Sequence, residues 1–485
     1  MESTHDAARQ PHAAGGGPEG RILLDEKERR RRDMILGGDM VRTIFVIALP
    51  LVFYNSLNQV FQLIDTIIAA NMSAKVVSTV SFISQIETML FAIGTGLSVG
   101  GSIIISRSYG AGDMDAVRSQ ISTLFFTGIA IGALILALAL PFAYPFLSLL
   151  RMPDDLIGQG TVYFMLAITA IIFQFINMIY LATEKSRGNT KVIMLCNMLV
   201  MATKTLLNFA VIRLLKGGLV PLDRAMLLLP VATIAAQGLL TAIAVSNLAS
   251  KKNPFRVSAG KCAFRKAFLV PLANMGVPIF LEKFIFAFGK VVVNSMCASM
   301  GSTVVGALGV SNRLGGFSTT QANGFQDAEA SLISQNLGNR NLRRALGIFY
   351  RTLVINLAIA ALFLALMLVF KRNIIFLFAK GDSGFAAEID AIYAYECWDS
   401  VLLSINASVM GLLYGFGKTR ISLVLNLVRL FAYRIPPLFL LLRFTNIGIP
   451  AVGIAMLISN GMVGITAGIV AVWLIRKIKA GTLPF

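Results

Sequence analysis

Asp65 is the first residue in this sequence of 485 residues whose type and setting could do chemistry. It sits in the apolar stretch Leu49–Thr66 with Asn55, Asn58 and Gln62. At 100° per residue these four fall within an arc of about 80°, so one helix face is polar and the others are Leu, Val, Ile and Phe. A charged Asp in hydrocarbon costs roughly 2.5 kcal/mol or more, so Asp65 has to face a bundle interior or a water-filled cavity. Such a face can bind a cation or exchange a proton. The alternative is a hydrogen-bonding stripe that glues helices together. Glu87 lies in the next apolar stretch, one short loop away. Two neighbouring carboxylates resist ionising together, which suits proton exchange, although a helix–helix hydrogen bond would use Glu87 as well.

Five more carboxylates fall in apolar stretches: Glu282, Asp327, Glu329, Glu396 and Asp399. Asp327 and Glu329 approach the end of their stretch and are expected at a gate or an interface. Six cations share the same surroundings: Lys204, Lys283, Lys290, Arg313, Arg429 and Arg434. Lys283 and Lys290, seven apart, lie on one helix face. They are expected to pair with Glu282, Asp399 or the Asp65 region, or to contact an anionic substrate group. Asn55, Lys204, Asn208, Glu282, Lys283, Lys290 and Asp399 are the candidates for a substrate cavity.

These residues need membrane-spanning helices to position them. The chain is 56% hydrophobic and 14% charged, with mean hydropathy +0.75, the composition of an all-α polytopic membrane protein. Twelve apolar spans of about 20 residues or more are expected at 41–68, 79–105, 121–143, 160–183, 192–212, 226–249, 267–298, 303–334, 346–370, 388–414, 421–442 and 450–475. The net charge of +19 resides mostly in the tails and in alternate loops. That distribution puts both termini in the cytoplasm and argues against nucleic acid. Residues 1–40 read as a disordered basic tail and 250–266 as a basic linker between lobes at 41–249 and 267–475, with 476–485 a short cytoplasmic tail. No signal-peptide segment precedes the first span, which is expected to direct its own insertion. The four cysteines are scattered, and His5 and His12 both lie in the tail, so a histidine triad or HExxH site within the spans is excluded.

An internal repeat fixes the architecture. Pro50 recurs as Pro278, Met72–Val77 as Met300–Val305, Ser106–Gly110 as Ser334–Gly338, and Gly188–Lys191 as Gly417–Arg420, all at one offset within a residue. A unit of six spans returns the chain to its starting side, so the two copies are parallel and flank a path between pseudo-symmetric six-helix lobes.

Several of these stretches resemble the multidrug and toxic compound extrusion (MATE) family, within the wider multidrug/oligosaccharidyl-lipid/polysaccharide flippase superfamily. Leu63–Ile68 is similar to that family's "VDT" end of helix 1. Gly94–Gly101 with Arg107–Asp113 resembles its helix 2–3 signature, and Arg187–Thr190 and Gly415–Thr419 its paired "RGxGDT" loops. The resemblance implies a secondary antiporter, not an enzyme, that exports cationic or amphipathic compounds by alternating access in exchange for protons. Sodium is the second candidate ion, and it would bind near Asp65. No cofactor or other metal is implied. A monomer in the plasma (inner) membrane, in contact with membrane lipids and small-molecule substrates, is expected. Asp65 matches the family's helix-1 aspartate, with Asn58, Gln62 and Glu87 beside it as coupling candidates. The chain departs from some relatives in helix 5, where Lys204 and Asn208 replace an Asn and Asp pair, and in helix 7, where Glu282 lies about one turn from the glutamate of sodium-coupled members. The competing readings are a flippase for lipid-linked oligosaccharide or other anionic lipid, favoured by the intramembrane cations, and, remotely, an intramembrane enzyme.

Overall fold

The computed structural model describes residues 25–482 apart from 71, 73, 151, 153, 252, 259, 261, 263, 265, 380 and 381; the side chains at 62, 63, 66, 67, 69, 70, 74, 75, 77, 78, 154, 155 and 302 are also outside the described set. The expectation for Gln62 therefore lies outside the described residues. Among the described residues sixteen helices follow one another: α1 (Glu26–Gly37), α2 (Met40–Ala70), α3 (Ala74–Ala111), α4 (Met114–Ala139), α5 (Ala143–Leu149), α6 (Asp154–Ser186), α7 (Thr190–Lys216) and α8 (Leu222–Ala249), then α9 (Lys266–Ala298), α10 (Ser302–Gly338), α11 (Leu342–Phe378), α12 (Ser383–Glu396), α13 (Asp399–Gly415), α14 (Thr419–Phe431), α15 (Ile435–Phe444) and α16 (Pro450–Lys479).

The twelve expected spans map onto these helices in order. Among the described residues nine segments, with α14 and α15 taken as one, are long and apolar enough to cross a bilayer. The pair α12 and α13, bent by 53°, makes a tenth. The other two expected spans fall on α9 and α10, of which α10 is rich in small polar residues. Both stand at the centre of the molecule, α9 against α3 and α14, α10 against α2, α3, α11 and α13. Where they meet these neighbours, polar side chains face other helices rather than lipid.

The repeat is written into the backbone. Asp113 caps α4 by accepting the Ala116 N–H, and Asn341 caps α11 by accepting the Arg344 N–H. Gly188 and Gly417, at the turns before α7 and α14, both hold left-handed φ, +75° and +69°. A side chain with a Cβ is strained in that conformation, so glycine recurs at both turns.

The two lobes are sealed together on the side that carries the termini. Gly96 and Gly100 of α3 lie against Gly276 of α9. Gly110 packs on the Gln335 carbonyl, and Gly338 on that of Arg107. Hydrogen bonds join the same region: Gln335 Nε2 donates to Ser186 O at 2.8 Å, Ser331 Oγ to Lys185 O at 2.9 Å, and Gln321 Nε2 to Ser56 Oγ at 2.8 Å. The outermost such bond among the described residues is Gln59 Nε2 to Thr320 Oγ1, 3.0 Å.

The expected disorder of residues 1–40 is corrected in part. Residues 1–24 are outside the described set, but 26–37 form α1, with Ile35 and Glu28 buried. Its Ile35 carbonyl accepts from Asn336 and Arg344 of the second lobe, and Arg32 donates to Gly110 O of the first at 3.1 Å. Arg31 and Arg32, read as part of the disordered basic tail, instead find carboxylate and carbonyl partners.

Adding one methyl group at Gly110 or Gly338 places a Cβ inside a neighbouring carbonyl. Gly110→Ala and Gly338→Ala should each lower the thermal unfolding midpoint of the purified protein by several degrees, since overpacking costs about 1–3 kcal/mol. Gly238→Ala, where nothing lies within 4 Å, should leave it unchanged or raise it. Equal midpoints for all three would refute this account of the seal.

Candidate functional site

The first site is built between α2 and α7. Asp65 accepts a charge-assisted hydrogen bond from Lys204 Nζ at 2.7 Å and a second from Asn208 Nδ2 at 3.3 Å. Lys204 and Asn208 are four apart, one turn of α7, so both reach the same carboxylate. The pair is about one-third exposed, with side chains at 31% and 32%. It borders a cavity of about 530 Å³, within the range for small-molecule sites. Glu87, Ser81, Ser84 and Thr88 of α3 line it, with Tyr163 and Gln174 of α6 and Gln237 of α8. Behind Gln237, Asn177 Nδ2 donates to its side-chain oxygen at 2.8 Å, and Thr241 to Asn177 Oδ1 at 3.0 Å. With buried Asn208 behind Asp65, the structure thus brings Asp65, Glu87 and Lys204 to one cavity. With both carboxylates ionised its net charge is one negative, which one proton cancels.

The polar face expected on α2 is divided among partners. Asp65 turns to α7 and Asn55 and Asn58 are half-buried, while Ser56 and Gln59, outside that face, turn to α10.

The second cluster lies between α9, α13, α14 and α16. Arg429 donates to Asn460 Oδ1 through Nε at 3.1 Å and Nη2 at 2.6 Å. Arg434, in the break between α14 and α15, donates to the same oxygen at 2.6 Å and to Ser459 Oγ at 3.1 Å. Asn460 Nδ2 in turn donates to Asp399, and Ser311 Oγ donates to Glu396. Lys290, Arg429 and Arg434 all lie over the Phe286 ring, at 5.6, 5.0 and 5.6 Å from its centroid.

Glu282 and Asp399, read as cavity residues, are only 3% and 4% exposed. Glu282 lies on the side of α9 turned into its own lobe, where Tyr414 Oη donates to it at 2.8 Å and Lys283 Nζ is 3.1 Å away. That geometry is helix packing and corrects the cavity assignment for Glu282. Asp327 meets Lys185 of the other lobe at 3.1 Å. Glu329, grouped with it as an interface residue, faces the opposite way because residues two apart on a helix differ by about 200°. It is buried beneath Gly411 of α13, within its own lobe.

A third cluster, missed in the sequence, closes the termini side. Arg187 donates to Glu184, as does Asn189, and Arg187 lies 3.8 Å from Glu28 and over the Phe255 ring at 4.8 Å. Tyr109 Oη donates to Glu28 at 3.3 Å. Burial would depress the Arg187 guanidinium, but Glu184 and Glu28 outweigh it and hold its pKa above the ordinary value. Asn460 and Ser459 were missed too, since an Asn in an apolar helix carries no signal of its partner.

A family model, MatE, matches residues 50–210 and again 278–440, beginning at Pro50 and at its repeat Pro278. This chain belongs to the MatE family. MatE proteins are secondary transporters rather than enzymes, and the chain resembles named members along most of its length. It is 20% identical to the probable multidrug resistance protein YoeA of Bacillus subtilis, over 84% of this chain and 88% of that one. It is 20% identical to the probable multidrug resistance protein NorM of Thermotoga maritima, over 86% and 89%. Its fold is similar to that of the Vibrio cholerae MATE transporter VcmN (TM-score 0.83, 19% identity, 90% of this chain and 97% of that). It is also similar to a MOP superfamily transporter from Pyrococcus furiosus (TM-score 0.84, 17% identity, 92% and 98%). The MatE fold is thus shown, with twelve spans in two lobes.

Asn460→Leu would strand two buried guanidinium groups and the Asp399 carboxylate, a loss of about 3–5 kcal/mol for a broken buried charge network. Monodisperse protein after detergent extraction should fall severely for Asn460→Leu and much less for Asn460→Asp, which keeps the acceptor. Normal yield of the Leu variant would show that the network carries no stability.

Proposed function

We propose that this MatE protein is a proton-driven antiporter that exports cationic or amphipathic compounds across the plasma membrane. The observation that carries the reading is the Asp65–Lys204 ion pair at the wall of a drug-sized cavity that also holds Glu87. The basic loops and tails on one side support cytoplasmic termini, and the seal between lobes on that side supports a cavity that empties outward. The relatives named as multidrug resistance proteins support the substrate class.

In this reading the cavity holds a cationic group against Asp65 and Glu87. Glu87 has no hydrogen-bond or ion-pair partner among the described residues, so it exchanges protons with the cavity freely. Protonation of Asp65 would release Lys204, remove the negative charge and expel a bound cation. The seal on the termini side then has to part for the proton to leave inward, breaking Lys185–Asp327 and the Gln335–Ser186 bond. Lys204 Nζ already takes the side of Asp65 where a sodium ion would bind, which favours the proton. The protein is proposed to act as a monomer, since each copy holds both lobes.

The test is efflux of a cationic dye from energised cells, with ΔpH and the sodium gradient collapsed separately. Wild type should lose efflux when ΔpH alone is collapsed, and should work faster as the external medium is acidified, because protons drive the cycle from that side. Asp65→Asn, which cannot be charged, should fall at least about tenfold. Full activity of Asp65→Asn, or dependence on sodium alone, would overturn the coupling.

A further inference from the structure

The two lobes do not present the same charge to each other. On α9, Gly276, Phe280, Lys283, Ala287 and Lys290 share a face within about 80°. Gly276 and Phe280 press on Gly96 of α3, and Lys283 and Lys290 continue the same face farther out, with Lys283 Nζ 3.1 Å from Glu282 and Lys290 Nζ over the Phe286 ring. Both are exposed, the Lys283 side chain by 44%. On α10 the face that meets α2 through Gly316, Thr320 and Gly324 continues outward to Arg313, also exposed.

Behind this wall stand Arg429 and Arg434. Their side-chain hydrogen bonds go to the neutral oxygens of Asn460 and Ser459, and neither they nor Lys290 forms an ion pair among the described residues. The carboxylates nearest these cations are buried: Glu282, Glu396 and Asp399 are 3–5% exposed. Glu282 faces Tyr414 and Lys283, Glu396 takes Ser311, and Asp399 takes Asn460. Three cations therefore crowd one aromatic ring with no anion in direct contact, while two more line the cleft. Like charges this close in a weakly solvated setting repel unless an anion completes them.

We infer that the second lobe carries an oxyanion-binding site, formed by Lys283, Lys290 and Arg313 at the cleft and backed by Arg429 and Arg434, that takes a carboxylate, sulfonate or phosphate group of the transported molecule. Phe286 supplies an apolar and cation-holding floor. The substrate class that fits is an amphiphile with an anionic end at this wall, and a zwitterion can place its cationic end at Glu87 in the first lobe. This deepens the exporter reading above and rests on it.

A matched pair of probes separates the two ideas: a rhodamine with a free carboxylate and its methyl ester, which share one cationic ring system. Binding is measured by fluorescence anisotropy on the full chain in phosphatidylcholine nanodiscs, and transport in proteoliposomes under ΔpH. Wild type should bind the carboxylate form about tenfold more tightly, the scale of one charge-assisted contact. Lys290→Gln with Arg313→Gln, both at exposed positions where no buried group is stranded, should bring the two affinities together. Lys290→Arg with Arg313→Lys should restore the preference. Equal binding of both probes by wild type would overturn the site, and ΔpH-driven export of the ester beside it would leave the exporter reading standing. A carboxylate preference that responds to the variants, without transport of either probe, would support the site while the exporter reading fails. Loss of the preference when phosphatidylglycerol replaces part of the phosphatidylcholine would give the site to a lipid headgroup and overturn the substrate assignment.

Discussion

Charge placed between helices in a membrane has to be matched locally, and the Asp65–Lys204 pair shows how this chain does it. Lys204 reaches from α7 to a carboxylate on α2 at 2.7 Å, so neither group faces hydrocarbon alone. Partial exposure leaves the pair open to competition from water. The same constraint orders the rest of the interior. Glu282 is matched by Tyr414 and Lys283, Glu184 by Arg187 and Asn189, and Asp327 by Lys185. The Tyr414–Glu282 and Lys185–Asp327 contacts join separate helices, while Glu184 is matched within the turn that ends α6.

The duplicated lobes have been put to different use. Backbone features survive at equivalent positions, as in the caps Asp113 and Asn341 and the left-handed turns at Gly188 and Gly417. The chemistry does not follow the repeat. The first lobe keeps α7 unbroken and places Lys204 and Asn208 a turn apart on it. The second breaks the corresponding stretch into α14 and α15 and sets Arg434 in the gap. Symmetry supplies the frame, and the departures from it supply the sites.

Most of the fold was legible in the sequence because hydropathy and the 228-residue repeat depend on composition and order alone. Asp65 stood out for the same reason: a carboxylate in an apolar run is visible without coordinates. Its partner was not, since Lys204 lies 139 residues away and no local pattern links them. Glu282 was misplaced because depth was inferred from sequence position while direction around α9 decides what a side chain meets. The roles of Asn460 and of α1 were hidden in a similar way. An isolated amide and a run of arginines acquire partners only when distant helices come together.

Helix α1 gains its contacts from both lobes: Gly110 and Tyr109 on one side, Asn336 and Arg344 on the other. The latter lie 301 and 309 residues downstream of Ile35. Of the described helices α1 comes first in the chain, yet half of these contacts come from α10 and α11, more than 300 residues later, so its docking is complete only when both lobes are in place.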